Sequence, residues 1–444
     1  GGGQRRIRVL DRLPEPPAPA DASAWGDTAR SYNIGLGGRG QVSLQKAGVL
    51  ERVDRWCRTV AGRKDWPADG GQGVVTKTTR RYLTKIIARD RLTSCLLEEV
   101  REKHPEVEVE FSVECDRADF SADGVALKLR RCKAKSESSE ECEVEGGAFD
   151  LRAGWVVGAD GVNSTVRSEM ARAGAASHAQ RLEDRRPTVY RTLPIPLAPG
   201  ETSDLNLSVR NGDIGIEALP NVEGIVCGVF LFSPDDERVT GIRSGADARA
   251  LFAELFPAWP TPLLSDEDFA TFARARTSTL PQFMFCGPEL HLGSRAVLLG
   301  DAIHSVKPYF GLGANSALED AMVLDSCLEE AGGDLAKALA SYSALRAPEA
   351  RCLVESQQNL DQAPGLAFFT NFLLPIILDR TFNSPNLIQT LQDERFTFTE
   401  AKRKKDLDRA LQVVVLAAVA AAAATGLGAA AGFASDRLAA LTGA

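Results

Sequence analysis

Residues 296–320 read AVLLGDAIHSVKPYFGLGANSALED, and few backbones accept that order of residues. Ala296 to Leu299 is wholly apolar and predicts a short buried strand. It delivers Gly300 and Asp301 to its C-terminal end, where ligands bind in open α/β sheets. A carboxylate at that point can accept hydrogen bonds from sugar-like hydroxyls. Pro308 stiffens the loop that follows. Gly311 and Gly313 let the backbone come close to a flat ligand. After Ala314, Asn315 begins a helix predicted to run to about Ala331. The unpaired N–H groups and positive dipole end of that helix point into the turn and favour an anion there. His304 lies inside the loop, and a structural role is the plainer assignment than acid or base.

A second stretch repeats the logic. Residues 158–167 read GADGVNSTVR. A strand from Trp155 to Gly158 ends at Asp160 and Gly161, and a helix opens near Thr165 with Arg167 in its first turns. Alone this would be an Asx-capped helix start. Near the beginning, Arg6 to Arg12 reads as a third short strand, ending in Asp11 and Arg12.

The remainder sets these motifs in a large folded chain. Hydrophobic residues make up 44% and charged residues 25% of 444, which excludes a disordered protein. A formal net charge of −8 argues against nucleic acid as the main partner. Nine dispersed cysteines and four histidines give no metal-ligand spacing, and such thiols suit a reducing compartment. Strand and helix signals alternate up to about residue 185. From Pro187 to Phe232 the period becomes two, with a hairpin signal at Asn211-Gly212. The expected fold is therefore α/β, with an inserted antiparallel β-sheet and a C-terminal helical tail. Its expected parts are 1–185 and 286–345 as one α/β domain, 186–285 as the sheet domain, and 346–408 as a helical region.

Residues 410–435 carry no charge, which is long enough to span ~30 Å of hydrocarbon. Lys402, Arg403, Lys404 and Lys405 precede them, as on the cytosolic flank of an anchor. The expectation is a membrane anchor over 409–435. The competing reading is an alanine-rich helix packed on the protein or on a partner subunit.

The first two motifs together resemble the class A FAD-dependent aromatic hydroxylases, the para-hydroxybenzoate hydroxylase superfamily. The segment Arg30 to Leu36, with Arg39 and Gly40, is similar to the flavin-lining segment of the kynurenine 3-monooxygenase family within it. Leu219-Pro220 and Cys227 to Leu231 are similar to that family's substrate-domain strands. The resemblance implies an FAD-binding Rossmann-like (glutathione-reductase-type) domain. It implies that Gly300 and Asp301 bind the FAD ribityl chain, and that the turn Pro308, Gly311, Gly313, Ala314 and Asn315 holds the isoalloxazine. It assigns Asp11 and Arg12 to the adenosine ribose, Gly35 and Arg39 to the flavin lining, and Arg89 to the phosphates. It assigns Asp160, Gly161, Thr165 and Arg167 to the FAD and NAD(P)H surface.

The implied activity uses NADPH or NADH to reduce FAD and transfers one atom of O2 to an aromatic ring through a C4a-hydroperoxyflavin. No protein nucleophile is required, so no catalytic side chain is assigned. The alternatives carried by the same motifs are an epoxidase or reductase acting on another aromatic or an isoprenoid, and a non-catalytic tethered relative. The family also implies an organelle membrane, the mitochondrial outer membrane, with the catalytic part facing the cytosol.

Two departures stand out. The family opens with a strand, a GxGxxG turn and a helix, whereas here Gly1-Gly2-Gly3 leads directly into the strand that ends at Asp11. A truncated beginning is the expectation. Spacing from Arg39 and Arg89 puts Arg63 where the family's substrate-carboxylate arginine lies, with Lys77 or its neighbours in place of a tyrosine. Arg63 could equally be a solvated charge. Asn359 falls about one residue from the family's substrate asparagine.

Overall fold

Gly158 lies directly opposite Leu298, because Val156–Gly158 and Ala296–Leu298 run parallel and in register. A Cβ on Gly158 would come within 2.8 Å of both Leu298 and Val166. Only glycine therefore lets the helix Thr165–Arg172 rest directly on this strand pair. The helix Leu335–Leu360 also packs against it, and Tyr342 donates to the Leu298 carbonyl at 3.1 Å. Val166, Met170, Val297, Leu298, Ile303, Leu324, Leu339 and Tyr342 share this core. A second parallel pair joins Ile7–Leu10 to Val107–Glu110. These features come from a computed structural model that describes residues 6–25, 32–78, 81–134, 142–361, 365–366 and 369–442. The chain divides into two compact units, Gly1–Asp361 and Gln362–Ala444.

The period-two stretch forms most of a seven-stranded sheet. Its order is Ser278–Thr279, Val189–Pro196, Ile225–Phe232, Ile214–Pro220, Leu205–Asn211, Gly62–Trp66 and Val74–Lys77. The last two strands come from much earlier in the chain. One face is closed by the helices Gly245–Leu255 and Asp266–Arg274. Phe230, Phe232, Phe252, Phe256, Phe269 and Phe272 fill the space between. Phe230 and Phe252 have centroids 5.2 Å apart, and Phe230 and Phe272 meet edge to face at 5.0 Å. Ile214, Ile216, Ala218, Leu207 and Val209 point into that core. Alternate residues of the same strands, Ser208, Glu217 and Leu219, therefore face the other way.

Several expected elements change shape. Val42, Leu44, Val49, Leu50 and Val53 stand at helical spacing over 41–54, but Gly48 (φ +74°) breaks the run into Gly38–Lys46 and Leu50–Asp54. The charged stretch after Leu129 continues a hairpin, Gly124–Ala134 against Cys142–Ala153. On the neighbouring strand Glu114 and Asp116 both pair with Arg130 at 3.0 Å, so cross-strand charge supports a hairpin where the charged composition of 130–147 suits either a hairpin or a loop. Arg30 and Ser31 lie outside the described residues.

In the second unit, Phe398–Thr442 is a continuous helix. Among the described residues no helix is long and apolar enough to cross a membrane. The expected anchor over 409–435 is not supported among the described residues. Its side chains from residue 424 onward lie outside the described residues. Lys405, expected as a solvated flank, is instead buried and pairs with buried Asp379 at 2.9 Å.

Candidate active site

Leu299 closes the strand by donating to the Gly158 carbonyl at 3.0 Å, and the chain then turns sharply through Gly300 (φ +58°). A Cβ added there would stand 3.2 Å from Ala317, so the turn favours glycine both by conformation and by space. Asp301 follows in a short 3-10 turn. Its carboxylate reaches solvent from a recess, and among the described residues no hydrogen bond is donated to it. Burial among protein atoms lifts its pKa above the usual range. His304 and Arg89 oppose the rise and Asp320 adds to it, so Arg89 is electrostatically within reach of Asp301.

Beyond Lys307 the loop makes a 3-10 turn over Pro308–Phe310 and passes through Gly311 in the left-handed region (φ +61°). The helix Gly313–Glu330 begins two residues later. The N–H groups of Gly313, Ala314 and Asn315 therefore have no intrahelical acceptor and face the turn. The Asn315 side chain is spent otherwise. Its Oδ1 accepts from Gly37 N at 2.9 Å and Gly40 N at 3.1 Å. Its Nδ2 donates to the Gly35 and Gly311 carbonyls at 2.7 and 2.6 Å. Asn315 thus clasps the Gly311 turn to the strand Asn33–Leu36 and to the start of the helix Gly38–Lys46.

Beneath the turn runs a buried ionic chain. Asp320 is fully buried; it accepts from Gly300 N at 3.0 Å, pairs with His304 Nε2 at 2.8 Å, and accepts from Arg346 Nε at 2.7 Å. Arg346 continues to Glu319 at 3.2 Å, and Glu319 pairs with buried Arg39 at 2.7 Å. Burial alone would raise the Asp320 pKa, but His304 and Arg346, with the hydrogen bonds from His304 and Gly300, hold it below the usual range. Lys307 is likewise fully buried. It donates to Asp184, to Asp361 and to the Arg186 carbonyl, each at 2.7 Å.

The remaining sequence-predicted residues divide into two groups. Asp160 caps a helix: Oδ2 accepts from Val166 N at 3.1 Å and Oδ1 from Ser164 Oγ at 2.5 Å. Gly161 supplies the left-handed turn (φ +77°) before Thr165 starts that helix. Arg167 is buried and donates to the Ala302 and Val162 carbonyls, both at 2.7 Å, tying the second motif to the first. Asp11 Oδ1 accepts from Leu13 N at 2.8 Å, and the exposed Arg12 gives its carbonyl to the Cys132 thiol at 3.1 Å. Arg89 opens the helix Arg89–Lys103, stacks over Tyr32 at 5.0 Å and pairs with Asp90 at 2.9 Å. Asn359 is exposed near the end of Leu335–Leu360.

Arg63 lies on the face of the seven-stranded sheet turned away from the phenylalanine core. It donates to Asp65 at 2.8 Å and to Ser208 at 2.8 Å, and Glu217 stands 3.9 Å away. Two hydrogen bonds join this sheet region to the segments beside the glycine turns. Asn33 Nδ2 donates to the Leu219 carbonyl at 3.0 Å, and Tyr309 donates to Thr188 at 3.3 Å. Cys227, Val229 and Leu231 continue the face beside Leu219 and Glu217, with apolar side chains.

The residues 42–357 match the family described as "FAD binding domain". Curated relatives include the kynurenine 3-monooxygenase of Salinispora arenicola, 30% identical over 362 residues, which covers 79% of this chain and 72% of that protein. The kynurenine 3-monooxygenase of Stenotrophomonas maltophilia is 31% identical, covering 78% of this chain and 72% of its own length. The chain belongs to the FAD-dependent aromatic monooxygenases of the kynurenine 3-monooxygenase kind. Among solved structures, Pseudomonas aeruginosa PqsL in complex with 2-aminobenzoylacetate superposes with a TM-score of 0.60 at 21% identity, covering 83% of this chain and 92% of PqsL. A tetrameric 2-methyl-3-hydroxypyridine-5-carboxylic acid oxygenase gives 0.59 at 22%, covering 83% and 96%. At those identities the solved structures speak for the fold.

The residues present fit FAD. Among the described residues nothing donates to the Asp301 carboxylate, which suits ribityl hydroxyls, and the N–H groups of Gly313, Ala314 and Asn315, which have no intrahelical acceptor, suit the electron-rich edge of the ring. Sequence reasoning missed Arg346, the hub of the buried chain, because a single arginine in a long helix carries no local signal. It also missed Ser208 and Glu217, whose tie to Arg63 depends on strand pairing across more than 140 residues.

Proposed function

We propose that this enzyme hydroxylates an aromatic amino acid of the kynurenine class, with electrons supplied by NADPH or NADH. The observation that carries this reading is the place of Arg63. It stands on a sheet face that is half ionic and half apolar, and Asn33 and Tyr309 link that sheet region to the segments around the flavin-holding turns. FAD, when bound, supplies the oxygen-transfer chemistry. The chain's own tasks are to bind and position. Asp301 accepts from the ribityl hydroxyls. Gly311, Gly313, Ala314 and the Asn315 N–H hold the ring edge where negative charge collects. Arg89 contributes positive charge near the phosphates. Arg63 takes the substrate carboxylate, and Leu219, Cys227 and Val229 receive the aromatic ring and keep water from it.

The test is a flavin spectrum followed by cofactor oxidation. Purified protein soaked in FAD is expected to turn yellow. With L-kynurenine it is expected to consume NADPH or NADH and give a product one oxygen atom heavier. A colourless preparation would overturn the assignment of the turn. A yellow preparation that leaves every aromatic amino acid unchanged would overturn the substrate class.

A further inference from the structure

We infer that Glu217 is a specificity-determining residue that recognises a cationic nitrogen on the substrate, beside the carboxylate site at Arg63. This rests on the sheet face being the substrate wall. Glu217 lies in Ile214–Pro220, whose Ile214, Ile216 and Ala218 are sealed in the phenylalanine core. Its side chain must therefore leave the opposite face, the side of Leu219. Its cross-strand neighbours are Ser208 on one side and Val229 on the other.

The two carboxylates near Arg63 are not equivalent. Asp65 is occupied, with Arg63 at 2.8 Å and Ser208 Oγ at 2.5 Å. Glu217 has Arg63 only at 3.9 Å, and among the described residues no hydrogen bond is donated to it. Burial pushes its carboxyl pKa up, against the pull of Arg63 and Arg210 and with help from Asp65. Its side chain is 43% exposed, so a ligand on this face reaches a carboxylate that no donor among the described residues holds. An ammonium on the ligand supplies the missing donor.

The charge pattern agrees. The Arg210 guanidinium sits over Gly215, 3.3 Å from where a Cβ would be, so two cations and two anions share this region. A zwitterionic head group leaves that balance unchanged. A plain carboxylic acid of the same shape adds an uncompensated negative charge beside Glu217. The apolar side chains of Cys227 and Val229 lie next to this ionic patch, at the distance of adjacent strands, and suit the ring. Glu217 thus sorts aromatic amino acids from aromatic keto acids, while Arg63 binds both.

The test compares L-kynurenine with its deaminated analogue, which keeps ring and carboxylate but lacks the amine. FAD-loaded enzyme is expected to show a KM at least about tenfold lower for the amino acid, the scale of one charge-assisted hydrogen bond. Glu217→Gln is expected to bring the ratio of the two KM values close to one, with kcat and flavin content little changed. An unchanged ratio in Glu217→Gln overturns the inference. If neither compound is hydroxylated, the substrate reading fails separately. Calorimetric titration of both proteins with aromatic amino acids and their deaminated acids then decides for Glu217. Loss of amine preference in the variant supports it, and equal preference in both proteins removes it.

Discussion

The carboxylate of Asp320 reaches back to accept the N–H of Gly300 at 3.0 Å, so the helix after the flavin turn holds the start of that turn in place. The same carboxylate carries His304 and Arg346, all within a solvent-free interior. Asp320→Asn keeps the shape and removes the charge, leaving Arg346 with only Glu319 to balance it. Breaking a buried ion pair on one side costs about 3–5 kcal/mol. A lower urea midpoint, with the denaturant slope unchanged, is the expected result. A midpoint like that of the parent protein would show that Arg346 is balanced by Glu319 alone.

Lys307 gives a pH prediction with a definite sign. Burial works against its charge, but hydrogen bonds from its ammonium to Asp184 and Asp361 raise its pKa above the ordinary lysine value. A raised folded-state pKa means the stability it contributes is complete below the unfolded value, ~10.4. That contribution is lost as pH rises through the folded value. Lys307→Met should therefore lower the melting temperature at neutral pH, because Asp184 and Asp361 lose their cation. It should also flatten the alkaline limb of the stability profile. Melting curves from pH 7 to 11 on both proteins check this, and parallel alkaline limbs would refute it.

Gly40 and Asn315 make a sharper steric case. A Cβ on Gly40 would fall 2.2 Å from Asn315 Oδ1, a distance no side chain tolerates. Gly40→Ala should push Asn315 out of its clasp and release the Gly35 and Gly311 carbonyls it holds. The expected readouts are loss of flavin on gel filtration and a lower melting temperature. Retained flavin with a normal melting temperature would mean the clasp is dispensable.

Legibility in the sequence followed the range of the interaction. The strand-turn-helix at Ala296–Leu298 and Gly313–Glu330 was readable because apolar run, glycine spacing and helix start all lie within a few residues. What the sequence concealed was the partner of each polar side chain. Asn315 was readable as the start of a helix, yet its amide is consumed by backbone 275 to 280 residues away and at Gly311. Arg167 was expected at the cofactor surface, and its guanidinium is turned to the Ala302 and Val162 carbonyls. Gly62–Trp66 joins a sheet whose other main strands begin at Val189, a parallel pairing with Leu205–Asn211 that no local pattern announces.

Asp301 yields a prediction in which stability and function move in opposite directions. Its pKa is raised, so the folded protein disfavours the ionised form that prevails at neutral pH. A carboxyl whose folded pKa lies above its unfolded value subtracts stability once pH exceeds the unfolded value. Asp301→Asn removes that charge, and the flavin-free protein should melt at the same temperature or higher. Affinity for FAD should fall, because a charge-assisted hydrogen bond to a ribityl hydroxyl, roughly 1.5–3 kcal/mol, is exchanged for a weaker one. The corresponding rise in Kd is about tenfold or more. Fluorescence titration with FAD and melting of the stripped protein measure the two effects independently. A variant that melts lower and binds flavin as before would place the ribityl contact elsewhere and leave Asp301 a structural residue.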